Sequence, residues 1–485
     1  MEDRLRRRKR EEDYLGAEVL LAIVLGAQQV IRHSRKKRRA PNNHYDRQHA
    51  LDFVATWSDP LFKRQFRIPR DKHDELIASV TERVRPRNEK MAILSSGSTV
   101  GVQTKLLVTL RMLAGASPLD MVWYGVTHTV VDQYVDEILS ALATCSVLKD
   151  IVRVPQTEEE VRELRAGWER RQMHSNHVDL LPGLALAVDG IVIFVAAPTQ
   201  KEVEKFGVLN VDEFYNRKGG HALVCQGACD AFGEFRYFSF RHTGNTNDHI
   251  AYESTTLYSL FREGDGRRGG RDNAVSEELM RLYSDLFLVM DEAYSCLGGR
   301  HITPYSQYQL RTIRTDFGED SYFAALVFNN RLSSARITIE IAFGMFMRRW
   351  GIFWKPLAYR LHKCMLIIDV CTRLHNLCIR DWKERLGLNG PQAGLLETPP
   401  CARLDRSLWL QLAEVGEPEL PRDAVAFNEE PVHYRAVQNT IRDKLRDKMR
   451  ALGFKYSAQA KAALLPSGQA PRDLAKALAP KVLHR

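Results

Sequence analysis

From Leu51 onward, apolar positions recur near helical spacing. Phe53, Trp57, Leu61 and Phe62 come first, and Leu76, Ile77 and Val80 follow after Pro69 restarts the chain. A Gly/Ser stretch at 95–101 opens a second helical block. Residues 105–114 form one predicted helix, Ala116-Ser117-Pro118 starts the next, and 127–142 forms a third, with Gly125 in the turn. Two short helices and a longer one trace the outline of a helix-turn-helix. A charged helix over 158–171 closes this region.

The pattern then changes. LALAVDGIVIFV at 184–195 is almost continuously apolar and rich in β-branched residues, broken by one acid. Such a run predicts a strand buried on both faces in mid-sheet. Residues 221–230 and 234–240 predict two more strands, joined through Ala231-Phe232-Gly233 as a hairpin. A helix over 249–262, a polar Gly-rich insertion at 261–273, and a short buried strand at 286–290 ending on Asp291 come next. From Ser321 the chain reads as helical through Trp382. Strands first, with helices between and after, predict a mixed α/β domain.

Composition adds organisation. Two basic runs, RLRRRKR at 4–10 and RKKRR at 35–39, flank an amphipathic stretch. Beyond Leu388 the chain turns to Pro, Gly and charge, with a basic amphipathic helix predicted at 433–452. The expected organisation is a basic N-terminal tail (1–45), a helical region (46–172), an α/β domain (173–390) and a basic C-terminal tail (391–485). Lys and Arg number 70 against 60 Asp and Glu, a formal charge of +10 that favours a polyanionic partner, nucleic acid above all. The 8 cysteines include no CxxC pair and read as reduced thiols of an intracellular protein. The longest apolar run near the N-terminus, 19–25, is too short to span a bilayer.

A carboxylate inside a buried apolar strand is costly unless something compensates it. Asp189 sits there between Val188 and Gly190, and Asp291 ends the second apolar strand. Two such acids on neighbouring strands suit Mg²⁺ or Mn²⁺, which prefer oxygen ligands. In RITIEIAFGMFMRRW (336–350), Ile339, Phe343, Phe346 and Trp350 form one stripe that packs on the sheet. Glu340 lies about 100° round from it, with Arg336 on the same flank and Arg348 and Arg349 further toward solvent. Taken singly, each aspartate also reads as the cap of a following turn, and Glu340 as a surface pair with Arg336. Together, the three acids can hold two metals about 4 Å apart for in-line displacement at phosphorus. Asp230 and Asp248 read as turn or structural acids. Cys364, Cys371, His375 and Cys378 share a helical face but read as core, since a zinc site would need a fourth ligand at ordinary spacing.

With these residues in view, the chain resembles the nuclease domain of Harbinger-superfamily transposases and their domesticated relatives. The matching segments run in family order over 181–382. They are Ala187-Val188-Asp189-Gly190, Tyr215-Asn216-Arg217-Lys218-Gly219, Gly244-Asn245-Thr246-Asn247-Asp248, Met290-Asp291-Glu292-Ala293-Tyr294, Arg336 through Trp350, and Leu374-His375-Asn376. Asn247 stands where that family usually has His, and the acids are widely spaced, 102 positions and then 49. The resemblance implies a ribonuclease-H-like fold, a catalytic triad of Asp189, Asp291 and Glu340 with Mg²⁺ or Mn²⁺, and a metal-dependent endonuclease or transposase. It also implies a nuclear location and a separate Myb/SANT-like DNA-binding partner, leaving the helical region as an auxiliary or homodimerising module. Arg217, Lys218, Arg336, Arg348 and Arg349 are the expected nucleic-acid contacts. The competing expectation is a domesticated DNA- or chromatin-binding protein with a silent site; a structural nuclear protein is the remoter one.

Overall fold

A computed structural model describes residues 47–84, 100–172, 181–262, 275–295, 297–387 and 441–447. Both N-terminal basic runs, most of the Gly-rich insertion and most of the C-terminal tail lie outside the described residues, and of the helix predicted at 433–452 only 441–447 is described. The chain divides into two units. One takes residues up to Ile151 together with Met347–Cys378, and the other takes Val152–Phe346 with the residues from Ile379.

The first unit is helical: α1 (Arg47–Ala55), α2 (Asp59–Phe66), α3 (Arg70–Thr81), α4 (Val102–Leu113) and α5 (His128–Thr144). Its core stacks Trp57 on Trp123 and Phe66, with Phe62 against Phe66. Between α4 and α5 a tight 3₁₀ turn, Pro118–Tyr124, is capped by Ser117 and released by Gly125 at φ 70°. The helix-turn-helix outline is therefore present, with a 3₁₀ turn as its middle member. Its third helix carries Asp132, Asp136 and Glu137 and no Lys or Arg. Those acids are paired within the unit by Lys363 and Lys105, so α5 lacks the charge of a groove-reading helix.

The second unit is α/β and ribonuclease-H-like. Its elements are α6 (Glu158–Gln172), β1 (Leu184–Phe194), α7 (Gln200–Phe206), β2 (Tyr215–Asn216), β3 (Gly220–Cys229), β4 (Phe235–Thr243), α8 (Asp248–Glu253), α9 (Thr256–Phe261), α10 (Glu277–Leu282), β5 (Phe287–Val289) and β6 (His301–Ile302). The long helix α11 (Gln307–Arg349) belongs to this unit up to Phe346, and α12 (Leu361–Arg385) belongs to the first unit up to Cys378. The sheet runs β2-β3-β1-β5-β6, with β4 also on β3. Strand β1 is central: antiparallel to β3, parallel to β5.

Alternation along the strands assigns the two faces. Leu186 and Val188 of β1 and Leu288 and Met290 near β5 join Val161 and Leu164 of α6 in one core, and Trp168 Nε1 ties α6 to the Ala185 carbonyl at 2.6 Å. The positions in between face the other side, where Phe343 and Phe346 of α11 meet Phe235 and Phe238. Helix α11 comes close because Gly227 has no side chain: a Cβ there would lie 2.8 Å from Phe343.

The helical stretch predicted from Ser321 to Trp382 differs in two ways. It begins earlier, at Gln307, bending through Gly318 at φ 79°. It also breaks after Arg349 into a 3₁₀ turn, Gly351–Trp354, before α12. Pro356 follows that turn and cannot continue a helix.

Candidate active site

Register brings the two aspartates together. Ala187 of β1 pairs with Val289 of β5 in parallel. Two residues on, Asp189 and Asp291 therefore emerge side by side on the same face. Asp189 Oδ1 accepts from the Gly190 amide at 2.8 Å. Asp291 has just left β5 and caps the next turn, its Oδ1 accepting from the Ala293 amide at 2.7 Å. The capping role expected of a lone strand-end acid is real here, but it uses one oxygen and leaves Oδ2 toward the site.

Helix α11 supplies the third acid on that face. Asp189 is register-paired with Gly227, Phe343 packs over Gly227, and Glu340 lies almost one turn before Phe343. Arg336 sits among the three acids. Its Nη2 is 2.8 Å from Glu340 Oε1, and its Nη1 is 3.9 Å from Asp189 Oδ2 and 3.7 Å from Asp291 Oδ2. Asp189 is the most enclosed, with 21% of its side chain exposed against 40% for Asp291 and 44% for Glu340. Burial pushes the Asp189 carboxyl up to about 6; the Gly190 amide and Arg336 oppose this, while the negative charges of Asp291 and Glu340 add to it.

The structure thus gathers all three predicted acids around one guanidinium. As the side chains stand, they do not form a metal cage: among the described residues no three His, Cys, Asp or Glu side chains are close enough together to hold a metal ion. The donor set itself fits a hard divalent cation, since it is all carboxylate oxygen. The positive charge at its centre is Arg336. A cleft of about 360 Å³ opens beside it, lined among others by Asp291, Glu292, Asn329, Ser333 and Arg336.

A fourth acid belongs to this neighbourhood. Asp248, the first residue of α8, lies against Gly190, where a Cβ would meet its Oδ1 at 2.3 Å. Gln226, register-paired with Gly190, donates to that Oδ1 at 3.4 Å and is itself held by the Tyr294 hydroxyl at 2.7 Å. Burial raises the Asp248 carboxyl's pKa; the positive charges of Arg217 and Lys218 oppose this and Asp291 reinforces it. Residue reading placed Asp248 among turn acids. The available signal was the turn Gly244 through Asp248, one of the segments that carried the family resemblance. Asp230, by contrast, serves its hairpin turn, accepting from the Phe232 and Glu234 amides and from Arg236.

Among the basic residues, Arg217 and Lys218 occupy the exposed turn between β2 and β3, and their charge reaches Asp248. Arg336 is at the centre. Arg348 and Arg349 fall in the helical unit, where Arg349 Nη1 donates to the His375 carbonyl at 3.3 Å. Cys364, Cys371, His375 and Cys378 are all buried core residues.

Residues 188–376 match a family model described as DDE superfamily endonuclease. The match spans less than half of the chain and includes Asp189, Asp248, Asp291 and Glu340. It supports a DDE-type, transposase-related nuclease. No curated protein and no solved structure matches the chain.

Proposed function

We propose, taking the DDE endonuclease match as premise, that this chain is a Harbinger-like, divalent-metal-dependent nuclease that cuts, and can join, DNA phosphodiester bonds. One observation carries this reading: a strand aspartate, a strand-end aspartate and a helix glutamate meet at a single cation within the matched segment.

Asp189, Asp291 and Glu340 would hold Mg²⁺ or Mn²⁺, which supplies charge neutralisation at phosphorus and a lowered pKa for the attacking water or 3′-hydroxyl. The protein's own groups do the rest. Enclosure of Asp189 raises its carboxyl to about 6, so it takes up a proton more readily than an exposed aspartate does. Arg336 balances the acids in the resting site, and its planar fork matches a phosphate once it is freed from them. Arg217 and Lys218 present positive charge beside Asp248 for the DNA backbone. Nuclear location is supported by the basic runs at 4–10 and 35–39. A Myb/SANT-like partner and a homodimer rest on the family resemblance alone.

The test is nicking of supercoiled DNA and strand joining by the purified chain in Mn²⁺ or Mg²⁺, beside Asp189→Ala and Glu340→Gln. Metal-dependent cutting by the wild type that both variants lose is expected. Cutting that survives either substitution removes the triad assignment. The rival reading, a DNA- or chromatin-binding protein with a silent site, draws on Arg336 occupying the place of the metal; it is favoured if the wild type binds DNA and never cuts it.

A further inference from the structure

Within the helical unit, four arginines crowd the C-terminal end of α2. Arg67 follows that helix in a left-handed conformation, φ 68°, with its side chain half-buried. Arg64 is exposed three residues earlier. Arg111 Nη1 is anchored on the Gln65 carbonyl at 3.0 Å. Arg349 is anchored on the His375 carbonyl, and Cys378, the next turn of α12, rests its Sγ 3.6 Å from the Arg67 carbonyl. Contacts at the Gln65 and Arg67 carbonyls therefore bring α4 and α12 against this end of α2, and α12 in turn holds Arg349. Burial and the charges of Arg111, Arg64 and Arg349 together depress the Arg67 guanidinium's pKa.

Several other cations of this unit are neutralised by carboxylates. Arg70 pairs with Asp59, Lys105 with Glu137, Lys363 with Asp136 and Arg373 with Asp369. Arg64, Arg67, Arg111 and Arg349 form no ion pair with a carboxylate among the described residues. Arg67 Nε is enclosed and meets no acceptor there. Guanidinium groups stay charged at any working pH, so four of them without an acid repel one another, and an anion relieves that repulsion. Arginine forks match phosphate oxygens in pairs. Exposed Arg64 and Arg348 carry the positive charge outward from the half-buried members, as an extended polyanion requires and a small one does not.

We propose that Arg64, Arg67, Arg111 and Arg349 form a docking site for the phosphodiester backbone of duplex DNA, separate from the acidic site and independent of metal. Such a site grips phosphates and reads no sequence. The choice of DNA as the polymer rests on the nuclease reading; the anion site itself does not.

The test uses the full-length chain in EDTA, so that metal-dependent cutting plays no part. Binding of a fluorescent duplex is measured across a salt series for the wild type, Arg64→Gln/Arg67→Gln, and a control pair in the other unit, Lys201→Gln/Lys205→Gln. The arginine pair is expected to weaken binding about tenfold at low salt and to lower the slope of log affinity against log salt by about two, near 0.9 per lost phosphate contact. The control keeps both. Should the double variant lose its thermal unfolding transition, the exposed Arg64→Gln alone must lower the slope by about one. An unchanged slope overturns the proposal, as does a wild type that binds no duplex in EDTA. Inorganic phosphate raising the Tm of the wild type but not of the variant, with duplex binding unaltered, overturns it in favour of a small-anion site. Loss of cutting alone, with arginine-dependent binding kept, strikes the nuclease reading and leaves this one standing.

Discussion

Arg336 and Glu340 stand one helical turn apart on α11 and join at 2.8 Å, yet the same guanidinium also faces Asp189 and Asp291. An i, i+4 pair on an exposed helix contributes little. Here the pair has a second role, because three carboxylates would otherwise face one another with nothing between them. The arginine acts as the resting counter-ion of an acidic centre.

Removing it should expose that role. Arg336→Ala in EDTA is expected to lose roughly 1 kcal/mol of stability, a modest cost because the groups are partly exposed. In Mn²⁺ the variant should recover and gain more in Tm than the wild type does, since no guanidinium competes for the oxygens. Thermal unfolding with and without Mn²⁺ measures this. An equal metal shift in both proteins would mean that the acids do not bind the ion together.

The raised Asp189 carboxyl makes apo stability pH-dependent. Its value of about 6 in the folded chain exceeds the ordinary carboxylate value near 4, so between those values the folded state binds the extra proton. Stability from this group is complete below about pH 4 and is lost as the pH rises through 6. Asp189→Asn should therefore stabilise the metal-free protein at pH 7.5 by up to about 2–3 kcal/mol, with the advantage vanishing toward pH 4. Denaturant unfolding at the two pH values decides it; a constant difference between them would refute the assignment of the buried proton to Asp189.

Gly190 and Asp248 form a steric couple. Adding a methyl group at 190 places it 2.3 Å from Asp248 Oδ1, and Gly190→Ala is expected to cost about 1–3 kcal/mol as overpacking. Asp248→Ala opens the space, so the double variant should be less destabilised than the sum of the two single ones, a coupling seen in a double-mutant cycle. Additive costs would show that the two residues do not touch.

The two faces of this site were unequally legible. Asp189 stood out because one acid broke an apolar run, and Asp291 because it ended another; both follow from the burial of their strands. That the two lie side by side needed the parallel register of β1 and β5. Glu340 was readable from the helical stripe beside it, but which charges Arg336 meets depends on how α11 lies on the sheet. Asp248 reaches Gly190 across 58 positions because a side chain is missing there, and no periodicity records an absence. The arginines at 64, 67, 111 and 349 come from three separate stretches, and of the four only Arg349 was read in advance as a nucleic-acid contact. The break after Arg349 went unread because the apolar stripe continues through Trp350.

Gly227 ties packing to the proposed chemistry most directly. It pairs with Asp189 across β1 and β3 and receives the Phe343 ring, which a Cβ would meet at 2.8 Å. That ring lies three residues beyond Glu340, so anything that lifts it also lifts the glutamate. Gly227→Ala is expected to cost about 1–3 kcal/mol and, at temperatures where the variant remains folded, to reduce metal-dependent cutting more than it changes duplex affinity. A 1 Å displacement of a reacting group can cost on the order of 100-fold in rate. Phe343→Leu in the same chain removes the ring edge and should restore part of both stability and activity. If it restores stability while cutting stays absent, the Gly227–Phe343 contact supports the fold without positioning Glu340.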